Sequence, residues 1–386
     1  MIELHSYFKP LNSAIYAAKD VWNTTQIGRL IDSHTANSFP EVKFAEIAIF
    51  NIPEYEGTQN TLSIQECKIR ASFYQLHQEA LPRIVDLGTL QLMPTRKESF
   101  KMIQDICEAL LRDGIIPFII GGGHDLSYAV YKAYVNLERY ITLVSVDKNF
   151  DIGLHEDKLA SYSHFGKIIN HKPSHLFHYV NLGYQTYFVS NMATEMLKGM
   201  NFEAVRLGDI KANLQQVEPV MRNADFLSFD ISAIQNAYAH ANIYSSPNGI
   251  NGEEACKIMH YAGVSDKLSA VGLFEYNQDL DVNNQTAQLL AQMIWYFIAG
   301  YKMRKQELNP NLKNCIKYTV AFEDGKNEII FYKSQSSGRW WMGIPFIKEG
   351  EKQLQNYFVA CTYSDYEVAN KGEIPDRWLK TYKKFI

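Results

Sequence analysis

The sequence lacks the features that mark nucleic-acid-binding, membrane and disulfide-rich proteins. Its 38 Lys and Arg nearly balance 42 Asp and Glu without forming a basic block, which disfavours nucleic acid and anionic lipid as partners. The most apolar late segment, residues 287–299, is interrupted by two glutamines and is shorter than the roughly 20 residues of a membrane span. The five scattered cysteines include no C-x-x-C pair, and the N-terminus has no signal-peptide pattern. We therefore expect a cytoplasmic protein with reduced thiols, bound neither to membranes nor to nucleic acid.

From about residue 45, short apolar runs alternate with longer helical patterns. The predicted strands are AEIAIFNIP, RIVDLG, PFIIGGGH, YITLVSVD, HYVNLG, DFLSFD and LSAVGLFEY. Near-continuous apolar strands between helices predict an α/β fold with three layers, α/β/α, around a mostly parallel central sheet. We assign residues 41–304 to this domain and residues 1–40 to a helical and irregular N-terminal extension. Residues 305–386, which contain two β-like runs, are expected to form a C-terminal extension packed on the same domain.

Polar residues stand where several of these strands end. His124, Asp147, Asp230 and Glu275 each close an apolar run. Ligands of parallel α/β sheets collect at the carboxyl ends of the strands, so we expect these side chains to converge. Alternate residues of an extended segment share a side, which would add Asp151 to the group. Oxygen-rich sites with an imidazole suit manganese and similar divalent ions.

The segment D-K-N-F-D-I-G, from Asp147, also resembles the start of a calcium-binding EF-hand loop. Such a loop needs glycine at its sixth position and a bidentate glutamate at its twelfth. Ile152 and Lys158 occupy those positions, and a strand precedes the segment where an EF-hand has a helix. The sequence therefore argues against a calcium loop.

Three segments resemble the ordered signatures of the ureohydrolases, the arginase, agmatinase and formimidoylglutamase family. GGGHD, DKNFD and SFDIS correspond to the family patterns G-G-x-H, D-A-H-x-D and S-x-D-x-D. NIPEYEG, VDLG and GLFEYN resemble further family strands, and the resemblance covers residues 45–304, with formimidoylglutamase-like members nearest. It implies an arginase-like fold, a homo-oligomer, and metal-dependent hydrolysis of a C–N bond in a small linear amidine or guanidine.

Carried over position by position, the resemblance implies four metal ligands: His124, Asp147, Asp151 and Asp230. Asn149 stands where D-A-H-x-D has its histidine, and Ser232 stands where S-x-D-x-D has its second aspartate. In the family both missing ligands serve the same metal. We therefore expect one divalent ion, manganese, and a second ion bound weakly or not at all. Three carboxylates without a cation would repel one another, and Lys148 is the alternative positive charge.

The resemblance also implies a catalytic set of Asp151, His164 and Glu275. His164 lies near the position of a loop histidine that is proposed to move protons in the family, although a surface histidine fits the sequence equally. Glu275 matches the glutamate that faces the substrate's guanidinium, and pairing with a nearby lysine or arginine is the alternative. His155, His164 or His240 could instead fold back to replace a lost metal ligand.

Two functions follow from this pattern. The first is a hydrolase of amidine or guanidine C–N bonds whose activity is weak or altered, because the family reaction relies on two metals acting together. The second is a non-catalytic descendant that serves as a binding or assembly protein with a protein partner. The first depends on the four retained ligands, and the second on Asn149, Ser232 and the terminal extensions.

Overall fold

The computed structural model describes residues 3–17, 19, 21–58, 68–153, 158–322, 327–347 and 354–385. Ten strands of these residues form one sheet: β1 Phe8–Lys9, β2 Asp32–Ser33, β3 Ile47–Ile52, β4 Ile84–Leu90, β5 Ile116–Gly121, β6 Ile141–Val146, β7 Leu176–Tyr184, β8 Glu203–Arg206, β9 Phe226–Asp230 and β10 Ala270–Phe274. Their order is β1-β4-β3-β5-β10-β9-β6-β7-β8, with β2 beside β4. Only β1 pairs antiparallel, so the prediction of a mostly parallel sheet is confirmed.

Helices cover both faces of this sheet. The described helices are α1 Ser13–Ala17, α2 Ile27–Leu30, α3 Lys68–Gln75, α4 Arg96–Arg112, α5 Leu126–Asn136, α6 His164–Ile169, α7 Asn191–Gly199, α8 Leu207–Ala212, α9 Val217–Asn223, α10 Gly252–Val264, α11 Gln285–Tyr301, α12 Tyr363–Asn370 and α13 Asp376–Tyr382. Ile47 and Ile49 of β3 face a core shared with α3, α9, α10 and α11. Ala48 and Phe50 face a second core shared with α4 to α7. Successive strand residues thus serve opposite cores, which gives the three-layer α/β/α architecture.

Local signals in the sequence mark the ends of the helices. Thr95 and Glu98 form a capping box at the start of α4, and the chain leaves α4 through Gly114 at φ +74°. Asp125 stands at the N-cap position of α5, but its side chain makes no capping hydrogen bond. Its carboxylate binds Arg96 instead. None of the helices in the described segments has the length and apolar character needed to cross a bilayer.

The chain outside residues 41–304 contributes more regular structure than its sequence pattern indicates. β1 and β2 both pair with β4 and so add strands at the edge of the central sheet, whereas the sequence pattern of residues 1–40 predicts helical and irregular structure. At the other end, the antiparallel strands β11 Cys315–Phe322, β12 Asn327–Ser334, β13 Trp340–Ile347 and β14 Leu354–Cys361 form a second sheet with its own core. Arg222 of α9 donates hydrogen bonds to the carbonyls of Trp340 and Cys361, which joins this sheet to the central one.

The cysteines that the structure describes, Cys107, Cys256, Cys315 and Cys361, are free thiols. Burial raises the pKa of the Cys107 thiol to about 12, so this sulfur stays protonated. Cys67 lies outside the described residues.

Candidate metal centre

Four neighbouring strands deliver the predicted site residues to one edge of the sheet. β5, β10, β9 and β6 lie side by side, and the chain reaches His124, Glu275, Asp230 and Asp147 at or just beyond their carboxyl ends. Phe274 pairs with Asp230, and Phe229 pairs with Val146, so the strands end at nearly the same level. The predicted convergence of these side chains is what the parallel register produces.

A glycine turn between β5 and α5 brings His124 into the cluster. The backbone amide of Gly123 donates to the Glu54 carbonyl at 2.9 Å, and the Gly122 carbonyl accepts from the Glu275 amide at 2.8 Å. A Cβ atom on Gly122 would lie 1.7 Å from the Glu54 carbonyl oxygen. The turn therefore requires glycine at this position, because the two backbones approach too closely for any side chain.

The imidazole of His124 lies at the centre of three carboxylates. Its Nδ1 is 3.2 Å from Asp151 Oδ2, 3.3 Å from Asp147 Oδ2 and 3.6 Å from Asp230 Oδ2. Its Nε2 makes a 2.7 Å hydrogen bond with the hydroxyl of Ser228, and the ring is fully buried. One atom from each of the four residues lies within 4.8 Å of the others.

The backbone orients two of these carboxylates. The Asn149 amide donates to Asp147 Oδ1 at 2.8 Å, and the Ser232 amide donates to Asp230 Oδ1 at 2.6 Å. With one oxygen of each carboxylate held in this way, the other oxygen, Oδ2, faces His124. Asp151 has a positive φ of +49°, which is uncommon for a residue with a Cβ and is typical of functional sites.

The electrostatics of the cluster reflect charges crowded in a buried space. Burial lowers the pKa of His124, but hydrogen bonds to Asp147 and Asp151 and the charge of Asp230 outweigh burial and raise that pKa well above its usual value. Burial, with the charge of Asp147, raises the pKa of Asp151 well above normal and that of Asp230 to about 6. Burial also opposes ionisation of Asp147, but His124 holds its pKa below normal. Without another cation, the cluster must therefore retain protons.

The donor set fits a divalent cation. Asp147 Oδ2 is buried, and no hydrogen bond of good geometry reaches it from the described residues, because its neighbour His124 Nδ1, 3.3 Å away, is shared with two other carboxylates. A buried carboxylate oxygen that is so poorly satisfied is costly, and an ion at this point would satisfy it. Three carboxylates and one imidazole are also ligands that manganese accepts.

The two positions at which the family resemblance predicts missing ligands carry groups that coordinate metals poorly. The side chain of Asn149 offers an amide, and that of Ser232, a residue only 1% exposed, offers a hydroxyl. The neighbouring Lys148 is buried, its ammonium donates to the Tyr244 carbonyl, and it lies 4.8 Å over the ring of Phe188. Lys148 thus has an acceptor outside the four-residue cluster, which weakens the alternative that its charge replaces a metal.

His164 lies beside the cluster. It is 2% exposed, so the alternative of a surface histidine is wrong. Its Nδ1 donates to the Ser161 carbonyl at 2.7 Å and lies 3.7 Å from Asp151 Oδ2. The centroid of its ring is 4.2 Å from that of the His124 ring. Burial, with the charge of His124, lowers the pKa of His164 to about 3, so its imidazole is neutral.

The other histidines considered as replacement ligands do not join the cluster in the described structure. His240 Nε2 accepts a hydrogen bond from the Val282 amide at 2.9 Å and lies 3.6 Å from Asp281. His155 lies outside the described residues.

Glu275 is fully buried behind His124. Its Oε1 accepts hydrogen bonds from the His124 amide at 2.8 Å and from the hydroxyl of Ser161. Its φ of +69° and the hydrogen bond from Asn242 Nδ2 to its carbonyl fix the chain after β10. Burial, followed by the charge of Asp230, raises the pKa of Glu275 to about 8.

The sequence did not identify a buried support around the glycine turn. Arg96 contacts the carboxylates of Glu54 and Asp125 and donates to the Leu159 carbonyl at 2.8 Å. It therefore joins the loop after β3, the His124 turn and the loop before α6. The signal in the sequence is Asp125, an acidic residue directly after His124, which pairs with Arg96.

Comparisons with known proteins agree with this architecture. The model of the arginase family matches residues 60–300, more than half of the chain. This chain belongs to the arginase family. The ureohydrolase resemblance found in the motifs is thereby confirmed.

The curated relatives and solved structures that resemble this chain include several formimidoylglutamases. That of Staphylococcus haemolyticus is 28% identical over 193 residues, which is 47% of this chain and only 60% of the relative's length. That of Staphylococcus aureus strain JH9 is 26% identical, covering 56% of this chain and 71% of the relative.

Two solved structures share the arginase fold at low identity. The Bacillus subtilis formimidoylglutamase superposes with a TM-score of 0.63 at 18% identity, covering 73% of this chain and 93% of the other. The Trypanosoma cruzi formiminoglutamase with Mn2+2 gives 0.60 at 18% identity, covering 69% and 100%. These two likenesses concern the fold alone.

Proposed function

We propose that this arginase-family chain binds one divalent ion, manganese, and slowly hydrolyses the C–N bond of a small amidine or guanidine. The observation that carries this proposal is the convergence of three carboxylate oxygens on His124 Nδ1, each within 3.6 Å. Family membership and formimidoylglutamase relatives support the reaction class. We assign four residues to this ion as ligands: His124, Asp147, Asp151 and Asp230.

A divalent ion in this set would supply Lewis-acid activation of water and of the amidine carbon. With one ion, that activation is weaker than in relatives with two, so we expect a slow reaction. The groups around the ion have separate roles. The backbone amides at positions 149 and 232 hold the carboxylates in place, and His124 is fixed through Ser228.

His164 and Glu275 are the residues we assign to proton transfer and substrate orientation. His164 is neutral and donates from Nδ1 to a carbonyl, which leaves the lone pair on Nε2 as its proton acceptor. Its low pKa makes it a weak base. For Glu275 we infer an orienting role, because its carboxyl group is held beside the cluster by the His124 amide and the Ser161 hydroxyl.

Metal analysis joined to a substrate panel tests this function. Purified protein is incubated with manganese, dialysed, and analysed for ions per chain. It is then assayed with arginine, agmatine, 4-guanidinobutyrate and N-formimidoylglutamate for urea, ammonia or formamide. We expect one ion per chain and slow release from at least one compound. The variant Asp147→Asn should lose both the ion and the activity.

The absence of product from every compound would refute the hydrolase, and two tightly bound ions per wild-type chain would refute the single-ion site. These two results are independent, because metal content is measured without substrate.

A non-catalytic binding or assembly protein remains the second candidate. Asn149 and Ser232 favour it, because a neutral amide and a hydroxyl at these positions leave the second ion without a charged ligand. The double variant Asn149→His with Ser232→Asp distinguishes the two functions. If the family reaction has been lost, only the double variant gains a second ion and activity. If the wild type hydrolyses a substrate and the double variant does so no faster, the non-catalytic candidate is excluded.

A further inference from the structure

The C-terminal sheet, formed by β11 to β14, has two edges that differ. Side chains from two helices cover the outer side of β14. Asn223 of α9 donates to the Ala360 carbonyl at 3.3 Å and accepts from the Ala360 amide at 3.0 Å. Arg377 of α13 donates to the same carbonyl at 3.3 Å. Because these side chains occupy its backbone groups, β14 cannot take up a further strand along this edge.

The edge formed by β11 is open within the described part of the chain. Its eight residues, Cys315–Phe322, pair with β12 in one continuous register without a bulge. On the outer side, their backbone makes no hydrogen bond to any residue that the structure describes. Long, regular edges with unpaired backbone groups are places where another chain can add a strand.

The side chains of β11 form an apolar row on one face of the sheet. Val320 is buried in the core of the C-terminal sheet, and Tyr318 and Phe322 pack against that core. Ile316 leaves the strand on the same face, because alternate residues of a strand share a face. It is nevertheless 42% exposed. The apolar row therefore ends with a large side chain in solvent at the open edge.

We propose that β11 pairs antiparallel with β11 of a second copy of this chain, so that the two C-terminal sheets join into one sheet. A two-fold axis perpendicular to the sheet produces this pairing and sets residues of the same face opposite one another. With Thr319 on the axis, Ile316 lies opposite Phe322 of the second copy. Tyr318 lies opposite Val320 of the second copy in the same register. The exposed isoleucine is then covered, and the apolar row continues across the axis.

The charge of β11 is compatible with a second copy as its partner. Lys317 is the one charged residue of this strand. In the register centred on Thr319, it lies opposite Ala321 of the second copy and not opposite a second lysine. Like charges directly opposite destabilise a strand pair, which disfavours the register centred on Lys317. Since the β14 edge is covered, association through this sheet stops at two chains.

Sedimentation equilibrium of the purified full chain tests this pairing through the residue on the axis. Thr319 is exposed, and Thr319→Lys or Thr319→Glu places two like charges opposite one another across the axis. An equimolar mixture of these two variants supplies opposite charges instead. Asn356→Lys and Asn356→Glu are matched controls, because Asn356 is an exposed neutral side chain on β14, at the covered edge of the same sheet.

The wild type should associate reversibly in pairs, because one strand pair buries less than the roughly 1,200 Å² of a standard interface. Thr319→Lys and Thr319→Glu should each raise the dissociation constant about fivefold or more when alone. Their mixture should restore association, and the Asn356 variants should associate as the wild type does. A wild type that stays a single chain would overturn the proposal. So would Thr319 variants that associate like the wild type, which is also the result expected if the chains meet through another surface.

A cysteine on the axis tests the register without placing a charge in the sheet. Opposite residues of antiparallel strands have Cα atoms roughly 4.5–5.5 Å apart, within the range of a disulfide. Thr319→Cys, treated with diamide, should therefore yield a linked pair of peptides that both carry position 319, identified by mass spectrometry. Asn356→Cys should yield no linked pair. Absence of the link in Thr319→Cys would refute the register, even if the charged variants failed to fold.

Discussion

Manganese binding should release protons, because several of the predicted ligands hold protons that an ion must displace. Against the effect of burial, hydrogen bonds to Asp147 and Asp151 raise the pKa of His124 well above normal, which favours the protonated imidazole. Burial raises the pKa of Asp230 to about 6, which protonates this group at acidic pH only. A metal binds neutral imidazole and ionised carboxylate, so lowering the pH must weaken manganese binding.

The size of this effect follows from the two groups. A group that must lose a proton to bind the ion weakens binding by up to about tenfold for each pH unit below its pKa. Asp230, with its pKa of about 6 in the middle of the range from pH 7 to pH 5, contributes a factor of about 10. The raised pKa of His124 adds to this effect, so the dissociation constant should rise by at least about tenfold, about 1.4 kcal/mol. Asp151, whose pKa is also raised, can only increase this effect.

Calorimetric titration of the metal-free protein with manganese, in buffers of different ionisation enthalpy, measures both the affinity and the protons released. We expect proton release at pH 7 and about one more proton at pH 5, where Asp230 is protonated. The variant Asp230→Asn, which binds more weakly throughout, should lose the additional proton at pH 5. Affinity that is the same at pH 7 and pH 5, or heat that is independent of the buffer, would show that the cluster does not hold these protons.

Three further predictions concern stability, measured by urea denaturation of the metal-free protein. Arg70→Ala removes a buried 2.7 Å ion pair with Asp86 and should cost about 3–5 kcal/mol; a loss under 1 kcal/mol contradicts it. Burial raises the pKa of Glu275 to about 8, so the folded chain holds a proton that the unfolded chain releases. Through this group alone, stability should fall on the order of 4 kcal/mol from pH 5 to pH 8, and Glu275→Gln should remove that part of the fall; equal slopes for wild type and variant refute it. Gly122→Ala, whose Cβ meets a carbonyl at 1.7 Å, should cost about 1–3 kcal/mol, whereas Gly199→Ala, in open space, should be neutral.

The positions of the central strands along the chain and their apolar character could be predicted because those properties are local. Buried parallel strands are apolar throughout, and the polar residues that end them stand out against such runs. The short strand β8 carries no such run, since Glu203 and Arg206 are half of its four residues. β13 and β14 were not predicted either, because their neighbouring turns and aromatic residues have no simple period.

The contacts that complete the site could not be predicted, because they join residues far apart in the sequence. Arg96 reaches Asp125 across 29 residues and Leu159 across 63. His164 is buried by the packing of α6 against the cluster, which its polar surroundings in SYSHFGK do not reveal. Motif order identified the four candidate ligands, but only the fold places Ser161, Ser228 and Arg96 around them.

A change of side chain at positions 149 and 232 need not disturb the four predicted ligands. At both positions a backbone amide holds a carboxylate, that of Asp147 or that of Asp230, and the Ser232 hydroxyl adds a second hydrogen bond to Asp230. Any residue except proline supplies those amides, so we expect the oxygens that face His124 to keep their places when the side chains change. The double variant Asn149→His with Ser232→Asp should therefore add ligands for a second ion without displacing the first.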